Sequence, residues 1–545
     1  MRKYIRWFGK VAAPHWVQLS AMMLCHVLLA VCSVLFVYIS KKMVDAAVAV
    51  FGGESSASDI WQWFALMAGV ILVRVALNAL RTYLQTRTEI KIKNSLRARL
   101  FDILLHLNGE GVRKHHSGDI LNRVQEDVRV VSGAISGSVP NLFGTALQFA
   151  AALGFLLYLD IRLAVVVMII LPVGMVVGRF ITGRIRNLTL DIRKRDSKVQ
   201  AHLQESIQHL TLLQTLEYEG TSAGELNGLQ GELYSSEIRR TKFSVVSRIF
   251  VALAFQAGYA TAFMWGVLGI SSGTVTYGMM TAFLQLVGQI QRPLLEMSSQ
   301  IPSIIHSTAS IDRIMELESL PCEDGAEPVL LDGVAGVHVE NIVFRYPDSD
   351  APVLDGFSHD FIPGSRTAIV GPTGVGKSTL IRLLLALLKP QEGSVHIYDS
   401  VTSEVASSST RCNLVYVPQG NSLFSGTVRE NLLMGNPEAS QGQMTEALHI
   451  AAADFVLEHP MGLDQQCFES GGGLSEGQAQ RIAIARALLR PGSILLLDEF
   501  SSALDASTET LLMERLTSTL TDHTMIFITH RDKIIDYCTD ILCLE

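Results

Sequence analysis

Gly371-Pro-Thr-Gly-Val-Gly-Lys-Ser-Thr379 decides how the second half of this 545-residue chain reads. It fits the pattern G-x-x-x-x-G-K-[ST]. A strand-like run, Thr367–Val370, precedes it, and a helical run, Leu380–Leu388, follows it. Glycines at this spacing let backbone N–H groups wrap a polyphosphate at a helix N-terminus. Lys377 is then expected to neutralise β- and γ-phosphate oxygens, and the Ser378 hydroxyl to ligate Mg²⁺. Further along, Ile494-Leu-Leu-Leu-Asp498-Glu499 reads as a buried strand that delivers two carboxylates at its C-terminal end. Ligands of α/β sheets bind at that edge. Asp498 is expected to hold Mg²⁺, and Glu499 to polarise an attacking water.

Outward from this motif the chain splits by charge. Residues 1–336 hold 31 Lys and Arg against 26 Asp and Glu, whereas residues 337–545 hold 13 against 26. The net charge of −8 is therefore concentrated in the second part. Hydrophobic residues make up 48% and charged residues 18%, with a mean hydropathy of +0.31. An acidic soluble part with no basic stripe argues against a nucleic-acid binder. Long apolar runs exclude a disordered or fibrous chain.

The apolar runs lie in the first part. Val11–Ser40, Ile60–Val73, Val130–Leu159, Leu163–Gly178 and Ile249–Gln291 contain no Asp, Glu, Lys or Arg. A membrane span needs about 20 apolar residues. The last run holds two spans, with Ile270–Gly278 as the turn between them. Six helices are expected, at about 17–40, 60–82, 137–159, 161–182, 249–270 and 276–298. Arg74 and Arg179 interrupt the second and fourth, so each must face protein, water or headgroups. The N-terminus is basic like a signal peptide, but the run after it is too long for one and more spans follow.

Lys and Arg crowd residues 1–10, 81–129 and 184–248, and are missing from 43–59. The positive-inside rule puts both termini and the two long basic stretches in the cytoplasm. Helical spacing inside those stretches, as at Leu203, Ile207, Leu210 and Leu213, suggests that the second to fifth helices run on past the bilayer as stalks. Arg74 and His26 are polar groups inside spans, a recognised mark of function; the blander expectation is that they face a watery cavity. His115-His116 reads as a solvated turn. The seven cysteines are odd in number and show no CxxC spacing, so they are expected to be small buried hydrophobes and not a metal or disulfide set.

Residues 317–336 are rich in Pro, Gly and acid and read as a linker. The domains are therefore 1–316, a six-helix membrane domain with stalks; 317–336, the linker; and 337–545, an α/β domain. Beyond the linker short β-rich runs alternate with helical ones, as in a parallel sheet.

A series of motifs makes residues 337–545 resemble the nucleotide-binding domain of an ATP-binding cassette (ABC) transporter. Leu474-Ser475-Glu476-Gly477-Gln478 resembles the family signature LSGGQ. Gln419, in Val417-Pro-Gln-Gly, resembles the Q-loop residue that senses Mg²⁺. Ser502-Ala-Leu-Asp505 resembles the D-loop, and His530 the switch histidine on the γ-phosphate. Tyr346 resembles the aromatic that stacks on adenine, and Glu469-Ser-Gly471 the short loop that meets the stalks.

Six helices with stalks upstream of one such domain resemble an exporter-type half-transporter. The resemblance implies ATP bound by Tyr346, Gly371, Thr373, Gly374, Gly376, Lys377, Ser378 and Thr379, with Mg²⁺ at Ser378, Gln419 and Asp498. It implies hydrolysis by Glu499, His530 and Gln419. It also implies a homodimer, or a heterodimer with a second half-transporter, in which Ser475, Gly477 and Gln478 act on the partner's ATP and Asp505 sits at the shared interface. Coupling segments are expected near 111–118 and 205–219. The location implied is multi-pass, in a bacterial inner membrane, with the ATPase domain cytoplasmic and an apolar cavity for an unnamed cargo.

Two departures stand out. Glu476 replaces the first glycine of the signature pair, and a carboxylate beside a triphosphate is unfavourable unless it points away. The chain also ends 15 residues after His530, short of the usual tail. Rival readings are a non-catalytic nucleotide-binding partner and an importer on the exporter fold.

Overall fold

A computed structural model describes the chain except residues 1, 54–55, 108–116, 324, 326, 347–348, 350, 469–472 and 545; at 117, 170–183, 186, 295 and 298–299 only the backbone is described. His115, His116, Glu469-Ser-Gly471 and most of the first coupling segment lie outside the described residues. Two compact units result: Met1–Phe101 with Gly118–Glu318, and Asp102–Ser117 with Ser319–Glu545.

The first unit is helical. Its long helices are α1 (Trp16–Phe51), α2 (Ala57–Leu105), α3 (Val139–Leu159), α4 (Ile161–Gln208), α5 (Glu219–Ser271) and α6 (Tyr277–Glu318). At 1.5 Å per residue, the 49 residues of α2 and 53 of α5 give rods of roughly 75–80 Å, far longer than a bilayer core. Among the described residues four helical stretches are long and apolar enough to cross a membrane: Arg2–Phe51, Ala57–Leu105, Gly118–Leu159 and Glu219–Ser271. Helices α4 and α6 cover the other two expected spans. The turn expected at Ile270–Gly278 falls between the end of α5 and the start of α6. The short helix Leu210–Thr215 occupies the second coupling segment.

Local chemistry explains the joints. Asp160 alone separates α3 from α4. Its backbone is extended, and one side-chain oxygen caps α4 by accepting from the N–H groups of Arg162 and Leu163, at 2.9 and 3.1 Å. Its other oxygen accepts from Trp265 Nε1 of α5 at 2.9 Å. Before α3, two π-helical turns, Arg123–Asp127 and Ala134–Ser138, break the α-helical ladder. Pro293 and Pro302 sit inside α6 without ending it. The apolar core includes Val37, Leu156, Leu163, Phe283, Leu286 and Ile290.

The second unit holds a five-stranded parallel sheet ordered β11-β3-β10-β9-β6, and a four-stranded antiparallel sheet ordered β2-β1-β4-β5 built from β1 (Gly336–Phe344), β2 (Leu354–Phe361), β4 (Glu392–Tyr398) and β5 (Ser403–Val405); the short strands β7 (Gly426–Thr427) and β8 (Gln466–Cys467) pair with each other. The strands of the parallel sheet are β3 (Arg366–Val370), β6 (Leu414–Val417), β9 (Ile494–Asp498), β10 (Thr524–Ile528) and β11 (Asp540–Cys543). Strands β9 and β10 are buried on both faces, which explains why they read as continuous apolar runs. The linker is tied to this unit by Glu323, whose carboxylate takes both terminal nitrogens of Arg411 at 2.7 and 3.0 Å.

The cysteine expectation needs correction. All seven are free thiols, but only Cys25 and Cys467 are buried, and Cys322 and Cys543 are exposed. Both exposed thiols lie on exposed stretches of chain, one after α6 and one at the final strand.

Asp127 is only 1% exposed and is held by a fork from Arg313 of α6. Removing one member strands the other without its partner. We expect D127N to destabilise the first unit by roughly 2 kcal/mol. This is less than the ~3–5 kcal/mol of a fully buried pair, because the Arg313 side chain is 41% exposed and relaxes into water. A lower melting temperature of the purified variant, read by a thiol- or dye-based thermal shift, checks this.

Candidate functional site

The register of the parallel sheet builds the site. Ile528 pairs with Ile369 on one side and with Asp498 on the other, and Leu497 pairs with Val417. Four strands therefore end within one residue of the same level. The residues that follow them, Gly371, His530, Glu499 and Gln419, emerge together at the C-terminal edge of the sheet.

The phosphate loop needs backbone that most residues avoid. Gly371, Gly374 and Gly376 have φ of 151°, 90° and 113°. A Cβ on Gly376 would also lie 2.8 Å from Val353 Cγ1. The loop opens helix α7 (Lys377–Leu384). Thr373, Gly374 and Ser378 are exposed, while Lys377 and Thr379 are buried. Lys377 Nζ donates to the carbonyl oxygens of Gly371 and Pro372 and lies 3.0 Å from His530 Nε2. A buried ammonium folded back on its own loop suits a ligand that would give it phosphate oxygens instead.

Opposite stands Glu499, with φ of +44°, a left-handed conformation rare outside glycine. Its N–H donates to Ile528 O at 3.0 Å, so strand pairing holds the strained turn. Gln419 Nε2 donates to Glu499 Oε2 at 2.6 Å, and His530 Nε2 lies 3.8 Å from Oε1. Lys377, His530, Glu499 and Gln419 thus form one chain of contacts. Asp498 is buried one residue earlier; burial first, and Glu499 second, push its carboxyl above the usual range. A cation at this position would relieve that cost.

Among the described residues no three His, Cys, Asp or Glu side chains converge as a metal cage. Mg²⁺ binds through one or two protein oxygens together with substrate phosphates, and the buried Asp498 carboxylate and the exposed Ser378 hydroxyl are donors of that kind. Ser378, Gln419 and Asp498 are the oxygen donors available here.

Tyr346 Oη lies 2.9 Å from Thr379 Oγ1, and its ring packs edge-on against Phe344. Ser475 caps helix α8 (Glu476–Leu488) in a reciprocal box: Gln478 N donates to Ser475 Oγ, and Ser475 N to Gln478 Oε1. Gly477 is buried, and a Cβ there would meet Ala503 O at 2.7 Å. Glu476 is exposed in the first turn of α8, where a negative charge favours the helix dipole. Asp505 caps helix α9 (Ala506–Thr519); hydrogen bonds from Ser507 and Thr508 hold its carboxyl down to about 2.

The phosphate loop, the paired carboxylates and the helical first unit converge with known proteins. The family model described as ABC transporter transmembrane region matches residues 19–294, and the one described as ABC transporter matches residues 354–502. The chain belongs to the ABC transporter family. Relatives include the ABC multidrug transporter mdr2 of Aspergillus fumigatus, 30% identical over 90% of this chain and 63% of its own length. The putative multidrug export ATP-binding/permease protein YgaD of Bacillus subtilis is 27% identical over 91% of this chain and 87% of its own. A protein described in the same way from Staphylococcus aureus is 28% identical over 87% and 83%. This chain thus spans less than two thirds of the fungal relative. A solved bacterial Atm1-family ABC exporter with ATP bound superposes with a TM-score of 0.79 at 26% identity, covering 96% of this chain and 92% of that one.

In this ABC transporter three site residues escaped the sequence reading. Tyr416, in register with Leu496, hydrogen-bonds Asp498; burial, and then that carboxylate, push its hydroxyl up to about 12. Buried Gln480 reaches the Glu499 carbonyl at 3.4 Å. Arg531 braces the turn after Glu499 by donating to Ser502 O, Leu504 O and Glu509 Oε1 at 3.0, 3.3 and 3.1 Å. Only Tyr416 left a signal, a hydroxyl at the end of an otherwise apolar strand next to Val417-Pro-Gln.

K377A is expected to weaken ATP binding at least roughly tenfold, since a charge-assisted phosphate contact is worth ~1.5–3 kcal/mol. Titration of the purified parent and variant with a fluorescent ATP analogue measures the difference.

Proposed function

We propose that this chain is one half of an ATP-driven exporter, in which residues 1–316 form a six-helix membrane domain and residues 337–545 form the ATPase joined to it by 317–336. The single observation that carries the reading is the run of contacts Lys377–His530–Glu499–Gln419 at the sheet edge. The exporter-like fold and the export-named relatives support the direction.

Each residue has a role set by its place. The loop N–H groups of Gly371–Thr379 and the Lys377 ammonium bind and orient the triphosphate. Tyr346 offers a ring to the adenine. The Glu499 carboxylate orients and polarises the attacking water, held in its aim by Gln419. His530 sits between Glu499 and the loop, where it reads the γ-phosphate. Mg²⁺, when bound by Ser378, Gln419 and Asp498, supplies charge neutralisation to the β- and γ-oxygens.

A second chain completes the pocket in this reading. Ser475, Gly477 and Gln478 of one copy act on ATP held by the other, with Asp505 nearby. Closure of the pair around ATP shifts the helical unit between two states, because ATP favours the closed one. The bilayer proposed is a bacterial inner membrane, with both termini and the ATPase in the cytoplasm.

E499Q keeps the shape and removes the charge. Its steady-state ATP hydrolysis in membranes is expected to fall roughly a hundredfold or more, the scale of losing a positioned general base, with ATP binding retained. Turnover at the parent's rate overturns the reading.

Exposed Glu476 favours a second reading, a site weakened on the partner's side. Replacing it tests this: E476G is expected to raise ATP turnover several-fold, on the order of one removed like-charge contact. Unchanged turnover means that this carboxylate points away from the nucleotide.

A further inference from the structure

Inside the first unit, helices α1, α2, α3 and α6 enclose a cavity of about 300 Å³. The sequence led us to expect an apolar chamber; the walls here are polar. Arg74, Arg81 and Arg292 line it, with His26, Gln300 and Glu296. Glu296 pairs with Arg292 at 3.2 Å. Among the described residues no carboxylate pairs with Arg74 or Arg81. Arg81 donates to Asn141 Oδ1 at 3.2 Å, and among the described residues its buried Nε has no partner.

His26 is the second, independent mark. It is 6% exposed, and its Nε2 is buried without a partner. The ring is seated there by Gly144 of α3: a Cβ at that position would lie 1.9 Å from His26 Nδ1. Gln300 Oε1 is likewise buried and unpaired. Buried polar groups are costly unless something satisfies them, and unpaired charges within apolar helical runs are rarer still. Two guanidiniums without counter-ions, beside an unsatisfied imidazole, have one common complement, an anionic oxygen group. Guanidiniums bind carboxylate, sulfonate and phosphate by two parallel bonds, which ammonium does not.

We propose that this cavity binds the anionic group of an organic anion, with Arg74 and Arg81 as the charge partners and His26 as a further hydrogen-bond partner. Calling that anion the cargo rests on the transport reading above; the binding site itself does not. A soluble organic anion and an anionic lipid headgroup present the same chemistry.

The test uses the full chain in phosphatidylcholine nanodiscs and two dyes on one ring system, anionic 6-carboxyfluorescein and cationic rhodamine 6G, followed by fluorescence polarisation. Saturable carboxyfluorescein binding is expected, without competition from rhodamine 6G. R74Q/R81Q is expected to weaken it roughly tenfold or more, the loss of one or two charge-assisted hydrogen bonds. R74K/R81K keeps the charge but loses the two parallel bonds and is expected to bind more weakly than the parent and more tightly than R74Q/R81Q, which separates a charge requirement from misfolding. Competition by phosphatidylglycerol in the disc supports the site and identifies its occupant as a lipid headgroup. Lack of competition, with carboxyfluorescein bound, supports a soluble anion. Absence of saturable binding, equal binding of both dyes, or binding unchanged in R74Q/R81Q overturns the proposal. ATP turnover is measured on the same parent discs. Turnover without anion binding sinks this inference alone, and arginine-dependent binding without turnover leaves the site standing while sinking the transport reading.

Discussion

The alignment of strand ends in one parallel sheet is the constraint on which this chemistry depends. Hydrogen bonding fixes Ile369, Ile528 and Asp498 at one level, so whatever follows β3, β9 and β10 must emerge side by side. A slip of one residue would turn the side chains of a strand to the opposite face. The buried residues of these strands, such as Leu495, Leu497, Met525 and Phe527, hold them in place. The polar edge is thus positioned by apolar packing behind it. The left-handed turn at Glu499 costs on the order of 1–3 kcal/mol, and the Glu499 N–H bond to Ile528 and the Arg531 brace help to offset it.

The candidate site was largely legible in the sequence because its parts are short and local. Strand, loop and helix around Gly371–Thr379 follow from glycine spacing. Asp498 and Glu499 stand where an apolar run stops. What the sequence withheld were contacts between distant segments: Tyr416 with Asp498, Gln480 with the Glu499 carbonyl, and Arg531 with Glu509. Each joins residues whose neighbours in the chain give no hint of the other. The same holds for cysteine. Residue type predicts burial on average, yet Cys322 and Cys543 follow the exposed segments that carry them.

The helical unit was legible as runs and opaque as a bundle. Charge-free stretches announced the spans, and the turn before Gly278 was plain. The crossing of α1 over α3, however, is decided by Gly144 making room for His26, and single-chain periodicity does not report which helix meets which. Arg74 and His26 looked like isolated oddities in two apolar runs. Packing brings them into one chamber with Arg81 of α2 and Gln300 of α6. That neither pairs with a carboxylate among the described residues is a property of the fold and not of either run.

The prolines of α6 carry a mechanical consequence. Pro293 and Pro302 each lack an N–H, so this 42-residue rod is missing backbone bonds at two levels. Helices bend most cheaply where the ladder is already broken. Pro293, Glu296 and Gln300 border the charged chamber. Flexing between those two levels would widen or pinch its mouth while the ends of α6 stay seated, making the helix a lever with its fulcrum beside the arginines.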